Sequence, residues 1–108
     1  RFPNKASHDA ERAEAIEPLM TQIKIVQERK VSLLEDRKKI DAEMEFYKKD
    51  PSKAPQSLQS RLKYNREDLK EVDEQVVSIN EEVKRTNQRF DEEAQTLKQY
   101  WAPAPTSK

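Results

Sequence analysis

The sequence predicts an all-α fold in which two long helices fold back on one another as an antiparallel coiled-coil hairpin. Three observations predict it. Positions at 3-4 spacing are apolar or Tyr at 8 of 10 places in the first half and 10 of 13 in the second, the seam pattern of helices that wind around each other. One short stretch, Pro51-Ser52-Lys53-Ala54-Pro55, interrupts that spacing in the middle. Charged residues make up 39% against 33% hydrophobic, and Gly is absent, a composition of solvated helices with a narrow apolar contact rather than of a turn-rich β fold.

The elements follow in order. Residues 1–8 are polar and read as an irregular N-terminal segment, with Ser7 or Asp9 placed to cap a helix starting near Ala10. The hairpin then covers residues 9–101. Its first arm, 9–49, carries Ile16, Ile23, Lys30, Arg37 and Met44 at a positions and Leu19, Val26, Leu33, Ile40 and Tyr47 at d. Pro18 interrupts this arm, since it lacks a backbone donor and crowds the preceding turn. Either the helix starts there, or residues 9–17 form a bent extension. The second reading is preferred, because Ala10, Ala13, Ala15 and Ile16 remain helical in character. The turn spans 50–55: Pro51 disfavours helix at Asp50, and Pro55 is tolerated in the first turn of the second helix. The second arm, 56–101, places Leu62, Leu69, Val76, Val83, Phe90 and Leu97 at a, with Leu58, Asn65, Val72, Ile79, Thr86, Glu93 and Tyr100 at d. Pro103 and Pro105 stop it, leaving 102–108 as a Pro-rich tail.

Charge supports the pairing of the arms. Folding about residues 53–54, one of several registers that keep the seams facing, sets residues 24–39, with six bases and three acids, opposite residues 67–82, with seven acids and Lys70. The arms therefore attract, although exposed pairs select a partner more than they hold it. The polar seam residues Lys30, Arg37, Asn65, Thr86 and Glu93 read first as solvated edges of a thin two-helix seam, and otherwise as register markers.

Chemistry is sparse. Without Cys there is no disulfide, thiolate nucleophile or Cys-bound zinc, and no run reads as a signal peptide or membrane span. His8-Asp9-Ala10-Glu11 groups acid-base side chains, but at a helix start they read as a cap. Glu81-Glu82 and Asp91-Glu92-Glu93 lie on helices with no cleft to tune them. No Gly-rich phosphate loop or nucleophile elbow occurs. The expectation is a non-enzymatic chain with no cofactor, no bound metal and no small-molecule substrate. Small basic groups at Arg37-Lys38-Lys39, Lys48-Lys49 and Lys53 keep a nucleic-acid-binding arm open as an alternative, an outline that resembles the tRNA-gripping arm of seryl-tRNA synthetases. The zero formal charge and the acidic second arm give phosphate no continuous basic stripe.

Protein partners are the main expectation. Met20, Val31 and Leu34 form a second apolar line on e and b positions of the first arm, with Val77 at b of the second and Ile25 and Phe46 at c. Single surface apolars are ordinary. The alternative is that two hairpins pair through this line as a dimer, or that another protein docks there. Tyr100 and Trp101, beside the proline tail, offer aromatic anchors, either across the open end of the hairpin against Phe2 or onto a partner.

Arg1-Phe2, then Ser7-His8-Asp9-Ala10-Glu11-Arg12, a long arm, a Pro-bearing turn and Asn87-Gln88-Arg89-Phe90-Asp91-Glu92-Glu93 form an ordered set. Over most of the chain this set resembles the C-terminal helical hairpin of small proteobacterial envelope proteins of unknown function. Those proteins carry a short β-rich segment ahead of the hairpin, which these residues lack. The resemblance implies a periplasmic location and a structural or binding role, with no catalytic residues to carry over. The expected function is a coiled-coil spacer, dimerisation arm or docking arm. The start at Arg1 rather than Met also suits a subunit or excised arm of a larger assembly.

Overall fold

Asn4 opens the first helix. Its Oδ1 accepts the Ser7 N–H at 2.8 Å, and its carbonyl accepts the Ser7 hydroxyl at 3.1 Å and the His8 N–H at 3.3 Å, which satisfies donors that a helix start leaves unpaired. The computed structural model describes residues 2–101, so the Pro-rich tail 102–108 lies outside the described residues. Helix α1 runs Lys5–Met44 and tightens into a 3-10 turn at Glu45–Tyr47. Residues 5–8, expected to be irregular, are thus helical, and neither Ser7 nor Asp9 is the cap. Asp9 instead accepts the Lys5 ammonium at 2.6 Å, and that hydrogen bond holds its carboxyl below the usual carboxylate range.

Pro18 lies inside α1, exposed, with helix on both sides. No helix starts there. The missing N–H leaves the Glu14 carbonyl without its in-helix donor. Pro18→Ala restores that donor and is expected to raise the melting temperature, with an upper bound of about 3 kcal/mol from helix propensity. A marked loss of stability in a thermal melt would show that the chain needs the distortion proline imposes.

The turn is built by its prolines. Asp50, at φ −149° and ψ 83°, lies outside the helical region that the following proline disfavours, and Pro51–Lys53 forms a 3-10 turn closed by Lys53 N–H to Asp50 O at 3.0 Å. Ser52 donates its hydroxyl to the Asp50 carboxylate at 2.5 Å, and Gln59 Nε2 donates to the carbonyls of Ser52 and Ala54 at 3.2 and 2.8 Å. Helix α2, Gln56–Leu97, begins when the Pro55 carbonyl accepts the Gln59 N–H at 3.0 Å. Pro55 therefore stands at the cap rather than within the first turn. A 3-10 turn at Lys98–Tyr100 follows α2. Among the described residues there is no strand, and no helix is long and apolar enough to cross a membrane.

The fold is an all-α antiparallel hairpin of two long helices, packed as two units. In the unit formed by residues 23–78, the seam residues Ile23, Ile40, Leu58, Asn65 and Val72 are buried, and the remaining a and d positions are half-buried. Ile40, Leu58 and Ala54 form one cluster with Met44, Tyr47 and Leu62 packed on it. At about 25 cal/mol per Å², each large buried side chain contributes roughly 1.5–3 kcal/mol. Opposite charges meet across the arms, Lys30 with Asp73 at 2.7 Å and Arg61 with Glu43 at 2.7 Å. These pairs, with the bond from Asn65 to Leu33, centre the fold on about residues 49–52, roughly one turn from the centre at 53–54 that the charge pattern suggests.

The unit of residues 1–22 and 79–108 buries Phe2, His8, Leu19 and Phe90. Here Ala15 and Ile16, Thr86 and Asn87, and Glu93 and Ala94 are half-buried in pairs, the drift expected of a 3.6-residue helix against a 3.5-residue repeat. By the last turn the inward position has moved one residue. Tyr100, assigned to the seam by heptad counting, is 74% exposed, and Trp101 takes its place.

Candidate functional site

The apolar side expected to dock a partner is exposed. Val31 is 57%, Leu34 44% and Val77 58% accessible in one unit. Val31 and Leu34 stand one turn apart on α1. Val77 is not opposite them: Lys30 pairs with Asp73, so Val77, one turn beyond Asp73, stands beside the turn that precedes Lys30. In an antiparallel pair the e and b positions of both arms share a side. The same side of this unit holds a groove of about 700 Å³ next to the turn, lined by Met44, Leu62, Gln59, Lys63 and Arg66 among others. Ile25, Phe46 and Tyr64, all at c, are exposed on the opposite side. Tyr64 escaped the sequence reading because it stands alone among charged neighbours.

In the other unit Met20 is half-exposed and Tyr100 mostly exposed. Trp101 is not a free anchor. Its Nε1 donates to the Phe2 carbonyl at 3.0 Å, so of its two expected roles it performs the intramolecular one. The centre of this cluster is His8, 1% exposed. The rings of Phe2, Phe90 and Trp101 lie 4.9, 5.2 and 5.3 Å from its centroid, the first two edge-on, and Nε2 lies 2.9 Å from Glu93 Oε1. Arg12 closes the rim, with Nη2 2.7 Å from Asp91 Oδ1 and its guanidinium over Phe90. His8 is therefore a core residue and not a helix cap. Its polar contact comes from 85 residues away, and the sequence signal for it was the Phe90-x-x-Glu93 spacing on a distant helix.

This histidine–carboxylate pair has the composition of an acid-base dyad, but its ring is buried among three aromatic side chains. Glu81, Glu82 and Glu92 are exposed, and Asp91 is engaged by Arg12. Among the described residues no group of three or more His, Cys, Asp or Glu side chains is placed to hold a metal. Of the basic groups, Arg37 pairs with Asp41 and Lys48 with Glu45, both at 3.0 Å.

The polar seam residues divide. Lys30 and Arg37 are half-buried with their heads on carboxylates, as solvated edges would be, and Thr86 is half-buried. Asn65 and Glu93 are different. Asn65 is 5% exposed and donates from Nδ2 to the Leu33 carbonyl on the other arm at 2.9 Å, and Glu93 holds His8. For these two the reading as a solvated edge is corrected. Each makes a side-chain bond that only one register permits.

No family model matches the chain, and neither does any curated protein or solved structure at a significant level.

Proposed function

We propose that the chain is a non-enzymatic protein-interaction arm, a coiled-coil hairpin whose work is docking or dimerisation. The observation that carries the reading is the exposure of Val31, Leu34 and Val77 on one side of a hairpin whose own seam is already filled. Apolar side chains beyond those the seam needs have no use in closing the hairpin, and a partner helix that covers them recovers their burial. The resemblance to envelope-protein hairpins adds an export-side location to this reading.

Light scattering coupled to size exclusion tests it. The expected mass is twice the 12.7 kDa of the chain, falling to a single chain in the double variant Val31→Glu, Leu34→Glu with helicity retained. A dimer that survives both substitutions places the contact elsewhere. A single-chain mass for the unmodified protein removes the dimerisation form of the reading and leaves docking of a different protein.

A further inference from the structure

The b and e positions of α1 in the unit of residues 23–78 are self-complementary about a point between Ser32 and Leu33. Val31 at b answers Leu34 at e, Lys38 answers Gln27, and Lys24 answers Asp41. Laid antiparallel on a second copy about that point, α1 sets apolar against apolar at the centre and ammonium against carboxylate on both flanks. A parallel alignment would set each of these charges against its own kind. Helix α2 repeats the property about a point between Glu71 and Val72, where Lys70 at b answers Asp73 at e and Val77 answers Arg66. The two midpoints stand equally far along their arms from the Glu43–Arg61 contact at 2.7 Å, so they lie level across the hairpin. The Lys30–Asp73 contact gives the same level to within a residue. One two-fold axis thus serves both arms, as a closed interface between identical surfaces requires.

The groups that such an interface needs are available. Lys24 and Lys70 are exposed and make no ion pair among the described residues. Asp41 and Asp73 each hold one cation of their own hairpin through Oδ1, Arg37 and Lys30 respectively. Their side chains remain 61% and 59% accessible, which leaves the second carboxylate oxygen for another donor. The same two-fold operation brings Val77 of the second copy level with Arg66, and Lys24 of the second copy level with Asp41. Both Arg66 and Asp41 line the groove of about 700 Å³ beside the turn, together with Met44 and Leu62. We infer that a second copy of this chain covers the apolar line and the groove, bound antiparallel with the axis crossing α1 at Ser32–Leu33 and α2 at Glu71–Val72. The inference rests on the interaction-arm reading and names its partner and register. Exposed ion pairs fix the direction of pairing, and burial of Val31, Leu34 and Val77 supplies the attraction.

The chain has no cysteine, so introduced ones report the register. Gln27→Cys and Lys38→Cys, both at exposed positions, are mixed in equal amounts, allowed to exchange and oxidised. A disulfide needs Cα atoms within about 7 Å. The inferred register sets position 27 of one copy beside position 38 of the other and keeps like positions about three turns apart. The mixed disulfide is therefore expected to form well ahead of either symmetric one. Charge exchange supplies the second readout. Lys24→Glu and Asp41→Lys should each weaken the dimer about tenfold in sedimentation equilibrium, with helicity retained, because each sets like charges together on both sides of the axis. Combined in one chain they should return the dissociation constant to within about threefold of the original. Symmetric disulfides in equal or greater yield, or a double variant no tighter than the single ones, would overturn the inference even where light scattering shows a dimer. A single-chain mass would overturn it as well, while docking of a different protein stands, so failure of the register and failure of the interaction-arm reading are told apart.

Discussion

Leu33→Asp is expected to remove much of the helical circular dichroism signal and to lower the melting temperature by many degrees. Leu33 sits at a d position, half-buried, and its carbonyl accepts the cross-arm bond from Asn65 Nδ2. An aspartate there loses the apolar contact and introduces a carboxylate into a groove already lined by Asp36 and Asp68. An uncompensated charge in a packed seam costs about 3–5 kcal/mol, against a total stability of roughly 5–15 kcal/mol for a domain. Leu33→Ala separates the two causes. It should cost only the lost packing, and the difference between the variants measures the charge. Unchanged helicity and melting temperature in Leu33→Asp would mean that the heptad frame is wrong.

His8→Ala carries the second large effect. It removes a ring that touches Phe2, Phe90 and Trp101 and that lies 2.9 Å from the Glu93 carboxylate. The cavity and the stranded carboxylate together should cost about 2–4 kcal/mol. Trp101 reports the change directly, because its indole is half-buried and bonded to Phe2. Its fluorescence should shift to longer wavelength, and amide exchange should accelerate in residues 2–22 and 79–101 more than in 23–78. His8→Phe keeps an aromatic body and loses only the polar contact, so it should retain the tryptophan environment and lose less stability. Equal loss in both variants would show that the Glu93 contact, not ring packing, holds the cluster.

Much of the architecture was legible because it rests on spacing. Every seam residue from Ile23 to Tyr47 and from Leu58 to Val76 is buried or half-buried. Pro51 and Pro55 marked the turn, because proline acts on its own backbone and that of the residue before it. The start of α1 was not legible, because Asn4, Ser7 and Asp9 are all competent caps. Asn4 is selected where Phe2 and His8 turn inward, and that is a tertiary event. The register was not legible in the sequence. Complementary charge in two arms is satisfied at several alignments, whereas the entry of Ala54 into the cluster with Ile40 and Leu58 is satisfied at one.

The candidate surfaces divide in the same manner. Val31, Leu34 and Val77 stood out as apolar residues beyond the seam, a property of helical phase that needs no partner to be seen. The His8 cluster and the groove beside the turn did not. Each is made by residues from different arms, and each depends on which turn of one helix lies beside which turn of the other. Sequence alone determined that this chain makes two helices, where they break and which stripe of each faces inward, because those are consequences of local backbone chemistry and apolar period. The tertiary structure alone decided the register, and with it the partner of every polar seam residue, because a shift of one turn preserves the apolar stripe while changing every side-chain bond across it.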